Sequence, residues 1–479
     1  MHNTHTIFQS IASKILSSKN ELNIYGANYK QWMYIFKQIY DDKNNNLCTK
    51  SQLIVLPDQE MAEQTYEILS SLNLKNHPIQ LQGLETSPYS SVVPSVSNMQ
   101  KRFGILSHLV NNNKANIIIT TAESLVLSTP PVDYFLNNKL TLNISDIIAP
   151  HDLALKLIEL GYRPSVTVEE PGTFSKKGEI FDIFPTYGRP IRINYFDDMI
   201  EEFKFIDLKT NKTVKDQCQE TIFIYTSVGN LTSDTFIKNF KNTIKNPGLR
   251  SKKKYDRRLE IFQSLNNNCL FETFPNMIPA FFETTSNLLD FFNNNNYIIT
   301  LINEVELKQS ILELKESLRM RHEELQNDND SSDIVLSPEK IFNFNLLEQS
   351  NHSLAINVNA VKVITESTKN YSEEILLKLE GVSTFLAPSK KPTIDKTDQI
   401  KSSLDYIVNE FIESGLITIS TYDEQSRDEL IFFLEGIPNF IYLKNRVNFL
   451  YSKLDEGFYY KKENHLVLTA SDLFAKKQI

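Results

Sequence analysis

The carboxylates that could share a proton come in neighbouring pairs, Glu169-Glu170, Asp197-Asp198 and Glu201-Glu202. A proton-sharing dyad needs both groups on one side of the backbone, and adjacent strand residues face opposite ways. None of the three pairs is read as catalytic. The eight histidines are scattered, and none stands at a nucleophile–base spacing from a serine or cysteine. Cys48, Cys218 and Cys269 are odd in number and far apart, which excludes a disulfide framework and offers no metal-ligand spacing. A reducing cytoplasm is their natural setting. The remaining candidate is Ile24-Tyr-Gly26-Ala-Asn-Tyr-Lys30-Gln-Trp32, a glycine and a lysine between a short strand and a helix. A phosphate-binding loop needs glycines for the turn, a lysine for the phosphates and a hydroxyl for magnesium. None of the 13 glycines is followed by lysine. Gly26 and Lys30 therefore read as a degenerate nucleotide loop, and no cofactor, metal or catalytic residue is expected.

The richest stretch runs from Pro171 to Ile206. Ile191, Ile193 and Tyr195 alternate with Arg192, Asn194 and Phe196, the period-2 signature of a half-buried strand. Asp197-Asp198 suits a two-residue turn, and Met199 to Ile206 reads as the returning strand. Ile180 to Phe184 is a short apolar strand stopped by Pro185, with Gly172 and Gly178 at its entry. Arg192, Asn194 and Phe196 share one face.

Around these pieces, residues 1–125 alternate strand and helix. Ile7–Ile15, Gln31–Tyr40 and residues 58–72 read as helices; Glu21–Gly26, Leu53–Pro57 and Ile117–Thr121 read as strands. That alternation predicts a parallel sheet with both faces covered. Residues 126–212 form the small β-rich domain, and 213–345 return to mixed structure, including a helix over Asn303–Leu325. A second small α/β domain is expected over 352–470. Its elements are a helix at Thr397–Ser414 with Thr397 as its cap, a strand at Leu416–Ser420, a helix at Glu424–Leu434 and a further strand at Phe440–Leu443. Residues 471–479 read as the start of a linker.

With 479 residues, three or four domains are expected. Hydrophobic residues make up 41% of the chain, and no apolar run is long enough to cross a bilayer, so no membrane contact is expected. A net charge of −9 argues against tight autonomous DNA binding and favours a protein partner.

The order Pro171-Gly-Thr-Phe-Ser-Lys-Lys-Gly178-Glu-Ile-Phe-Asp-Ile-Phe-Pro185, then Ile191-Arg-Ile-Asn-Tyr-Phe-Asp-Asp-Met-Ile200, resembles a domain shared by two bacterial repair families. These are the helicase UvrB and the transcription-repair coupling factors. Leu84-Glu-Thr-Ser-Pro88-Tyr89 with Pro94 and Arg102, and Gly457-Phe458 with His465 to Phe474, are similar to the coupling factors. The missing phosphate loop also points away from UvrB. The resemblance implies a degenerate helicase-like α/β half carrying an inserted UvrB-type interaction domain. It further implies docking on the damage sensor UvrA through Lys177, Arg192 and Phe196, with lysine standing where the family usually has arginine. It covers essentially the whole chain but only the front of the family's architecture. RNA polymerase would be reached only through a module expected to be absent, ATP would be used only by absent motor domains, and DNA would be met weakly or indirectly. A divergent UvrB-type helicase fragment and a stand-alone UvrA-binding scaffold or decoy remain the alternatives.

Overall fold

The computed structural model describes residues 7–18, 21–90, 92–112, 114–178, 180–218, 220–244, 252–292, 297–328, 333–349, 355–362, 373–389 and 396–473. The expected linker at 471–479 therefore lies largely outside the described residues. At its centre is a seven-stranded, wholly parallel sheet. Its spatial order is Glu373–Leu376, Glu21–Tyr25, Ala355–Asn359, Tyr297–Ile302, Ser51–Leu56, Ile117–Thr121 and Pro78–Leu81. Leu53–Leu56 and Ile117–Ile119 within these strands are apolar without alternation because both of their faces are covered. Leu53, Val55 and Ile118 join Phe103, Leu125, Phe135 and Phe281 on one side. Ile54, Leu56 and Ile119 join Trp32, Phe36 and Ile68 on the other.

The helices Tyr29–Tyr40 and Gln59–Ser71 start a residue or two away from the expected positions, where a side chain caps them. Asp58 caps Gln59–Ser71 by accepting from Met61 N, and Asn28 and Gln31 form a reciprocal capping box on Tyr29–Tyr40. The helix Glu304–Asn327 buries Leu307, Ile311 and Leu318 at the expected spacing. The sheet is not confined to residues 1–125, however. Three of its seven strands lie beyond residue 296, because a parallel strand can be supplied from any distance along the chain once a crossover reaches it.

Between the fourth and fifth sheet strands in chain order sits the small β-rich domain. Its six-stranded sheet runs in the order Lys212–Cys218, Met199–Asp207, Ile191–Phe196, Ile180–Phe184, Thr173–Lys177 and Arg163–Pro164. Lys139–Asn143 pairs with Thr221–Tyr225 to close the domain's base, so its structure extends past residue 212. One face packs Phe174, Phe181, Ile193 and Phe203 against Leu153 and Leu157 of the helix Pro150–Glu159. The helix Val96–Asn111 joins the domain to the central unit. Its Gly104 lies directly on the Thr186 backbone, and the His108 ring stacks on Tyr187 with centroids 4.1 Å apart.

The last unit is a five-stranded sheet ordered Leu379–Gly381, Phe458–Tyr460, His465–Thr469, Leu416–Thr421 and Val447–Tyr451. Phe440–Leu443 is not a strand as expected. Pro438 starts a 3-10 helix over Pro438–Tyr442, and the strand comes later, at Val447–Tyr451. The helix expected to be capped by Thr397 already includes it, spanning Lys396–Phe411. This unit docks on the central one through Tyr34, whose ring meets Phe458 and whose hydroxyl donates to Thr418 Oγ1 at 3.1 Å.

Candidate functional site

Residues paired directly across an antiparallel ladder point to the same face, with side chains about 5 Å apart, and successive rows on that face lie about 7 Å apart. The register therefore converts the sheet of the small domain into a map. Its inner rows, Phe174–Ile183–Ile191 and Phe181–Ile193–Phe203, are core. Its outer face carries three further rows. One is Lys177–Ile180–Asn194–Glu202, and beside it runs Ser175–Asp182–Arg192–Lys204. The third lies at the hairpin tip, where Phe196 pairs with Met199, and Met199 in turn bridges to Ile147.

Lys177, Arg192 and Phe196 are thus brought to one face. Lys177 is exposed at the end of its strand, and Phe196 is 66% exposed although it belongs to a strand whose alternate residues are core. Arg192 is already engaged. Its Nε donates to Asp182 Oδ1 at 2.7 Å and its Nη2 to Asp182 Oδ2 at 2.8 Å, a bidentate pair with both side chains partly buried. That hydrogen bond raises the guanidinium's pKa against the opposing effect of burial. Asn194 Nδ2 donates to Glu202 Oε1 at 2.6 Å, and Lys204 hydrogen-bonds the same carboxylate, holding it below its usual range. The charged rows are largely neutralised from within.

The turn is built as its sequence suggests. Asp197 takes φ +53°, the left-handed conformation that aspartate tolerates. The segment before the helix Pro150–Glu159 braces it: Ile148 N donates to Asp198 O at 2.8 Å and Ser145 N to Ile200 O at 2.8 Å. That bracing presents Ile147 beside Met199, with Ile147 82% exposed. Their pairing carried no sequence signal, since it links segments some fifty positions apart. Asp182 stood in plain view as the acid between two apolar residues, but only the register reveals its partner.

Gly26 and Lys30 lie elsewhere, at the end of the Glu21–Tyr25 strand. Gly26 has φ +90°, and a Cβ there would fall 2.0 Å from Leu377 O. Leu377 N donates to Tyr25 O at 2.8 Å, fixing that approach. Lys30 Nζ sits 2.8 Å from an Asp455 carboxylate oxygen; burial lowers its pKa, but Asp455 outweighs this and raises it. Asn28 Nδ2 donates to Glu456 Oε1 at 2.7 Å. A phosphate-binding helix start presents free amides and a cation; here Asn28 satisfies the Gln31 amide, and two carboxylates stand beside it.

Residues 140–227 match the family model of the UvrB interaction domain. They begin within one base strand and end just after the other. A protein of Rickettsia prowazekii is 25% identical across 92% of this chain, and one of Staphylococcus aureus strain Mu50 is 22% identical across 86%. Both are transcription-repair-coupling factors. The chain resembles the amino-terminal, UvrB-like module of that family. It spans 38% of the Rickettsia coupling factor's length and 35% of the Staphylococcus one's. The mixed α/β architecture, with its parallel sheet and inserted interaction domain, agrees with that resemblance. Among the described residues, no helix is long and apolar enough to cross a membrane, and no cluster of three potential metal-ligating side chains occurs.

Proposed function

We propose that this chain acts in nucleotide-excision repair as the UvrB-like module of a transcription-repair coupling factor, docking UvrA through the outer face of its interaction domain. The observation that carries this is the convergence of Lys177, Arg192 and Phe196 on one solvent-facing sheet surface, within residues matching the UvrB interaction domain. A phenylalanine left exposed on a core strand suits an interface anchor. Recruiting UvrA in this way would bring excision repair to stalled transcription. Any contact with DNA would be weak or indirect. The loop at Gly26 supports a module without nucleotide chemistry, since Lys30 is committed to Asp455 and the neighbouring Asn28 to Glu456.

A pull-down with purified UvrA tests the reading. The wild type should retain UvrA, and Arg192→Ala/Phe196→Ala should lose about 2 kcal/mol or more of binding, roughly a thirtyfold weakening. Failure of the wild type to bind would sink the function. Equal binding by the double variant would sink the site.

A further inference from the structure

The outer face of the interaction domain has an uneven division of labour. Its polar and charged groups are mostly spent on one another: Arg192 on Asp182, and both Asn194 and Lys204 on Glu202. Asp182 holds the Nε/Nη2 edge of Arg192, so a partner's carboxylate could approach only the Nη1/Nη2 edge, beside a guanidinium whose charge Asp182 already balances. The apolar side chains at the hairpin tip carry no such commitment. Ile147 is 82% exposed, Phe196 66% and Met199 36%, and the Ile147–Met199–Phe196 row makes them cross-strand neighbours. Such a row is a continuous apolar ridge with β-ladder spacing. The acids Asp197 and Asp198 occupy the turn at its end and are exposed, while Asp146 on the bracing segment is spent locally, its Oδ2 accepting from Asn143 N at 2.7 Å.

We infer that this ridge, rather than the Arg192 row, anchors the docked partner, with Ile147 and Met199 extending the contact of Phe196. The inference rests on the UvrA-docking reading above and specifies the chemistry of its receiving surface. The complementary site is an apolar slot ringed by lysine or arginine. A desolvated apolar centre holds the complex together, while complementary rim charges speed its formation. The Arg192–Asp182 pair then acts as a brace that fixes the strand behind Phe196. Lysine in place of arginine at position 177 becomes a rim change, affecting encounter more than residence.

The test uses the full chain and purified UvrA in an immobilised binding assay that resolves association from dissociation. Ile147→Asp and Met199→Asp are compared with Ile441→Asp, an apolar position in the last unit that is 73% exposed. Ile147→Asp should weaken binding at least tenfold, chiefly through faster dissociation, with an unchanged thermal melt. Met199→Asp should behave alike, and Ile441→Asp should match wild type. Asp197→Asn/Asp198→Asn should slow association, and that effect should shrink as salt rises. Wild-type affinity in Ile147→Asp and Met199→Asp, alongside lost binding in Arg192→Ala/Phe196→Ala, would overturn the inference and leave the docking reading intact. No binding by the wild type would remove both.

Discussion

Replacing Gly104 with alanine sets two known effects against each other. Gly104 lies within the helix Val96–Asn111, where alanine is normally preferred by about 1 kcal/mol. A Cβ built there, however, falls 2.3 Å from Thr186 O, 2.4 Å from Thr186 C and 2.7 Å from Tyr187 N. These are backbone atoms, and they are held. Thr186 N donates to Tyr162 Oη at 3.1 Å, and Tyr162 Oη donates to Tyr225 O at 2.9 Å. Relief would require separating the helix from the interaction domain, so the cost belongs in the upper part of the overpacking range, about 2–3 kcal/mol. The clash outweighs the propensity gain, leaving a net loss of about 1–2 kcal/mol. At about 2–4 °C per kcal/mol for large units, Gly104→Ala should lower Tm by about 2–8 °C. Scanning calorimetry on the purified chain measures it, with Gly436→Ala as a control, since the nearest heavy atom there is 3.4 Å away. A Tm equal to or above wild type would refute the claim that helix and domain are locked backbone to backbone.

Three further outcomes are expected. A titration with ATP and magnesium, followed by calorimetry, should be flat; saturable binding would show that the loop at Gly26 still accepts phosphate. Gly26→Ala should cost at least about 2–3 kcal/mol, because strain at φ +90° adds to contact with Leu377 O, and a denaturant midpoint equal to wild type would contradict this. Glu123 gives a pH signature: burial, opposed by the charge of Arg102, pushes its carboxyl up to about 7. Between the unfolded value near 4.3 and about 7, the native state keeps a proton that the unfolded state has lost, so stability falls as pH rises through that window. The Tm of Glu123→Gln relative to wild type should therefore climb from pH 5 to pH 8, and a constant difference would refute the assignment.

Much of this was legible in the sequence wherever the signal is local. The strand at Leu53–Pro57, the helix from residue 58 and the helix over Asn303–Leu325 each follow from neighbours only a few positions away, although Asp58 caps its helix rather than beginning it. Alternation from Ile191 to Phe196 likewise predicted which residues would face outward. What stayed hidden was pairing at a distance. Nothing around Arg192 announces that Asp182 occupies its fork, and nothing around Ile147 announces the bridge to Met199. Lys30 is 425 positions from Asp455, so the filling of its loop has no local trace. Phe440–Leu443 has strand-like composition, but Pro438 supplies a fixed φ and no donor, favouring the start of a helical turn.

The wiring of the central sheet sets the order in which the chain can be made. Glu21–Tyr25 is flanked by Ala355–Asn359 and Glu373–Leu376, so both of its ladder partners lie far downstream. At translation rates of about 5–20 residues per second, that strand waits roughly 15–70 s for its first neighbour. Residues 139–225, by contrast, contain all of their own strand partners and a hydrophobic core. The small β-rich domain can therefore emerge and fold while its host is still half-synthesised, presenting its outer face before the body that carries it is complete.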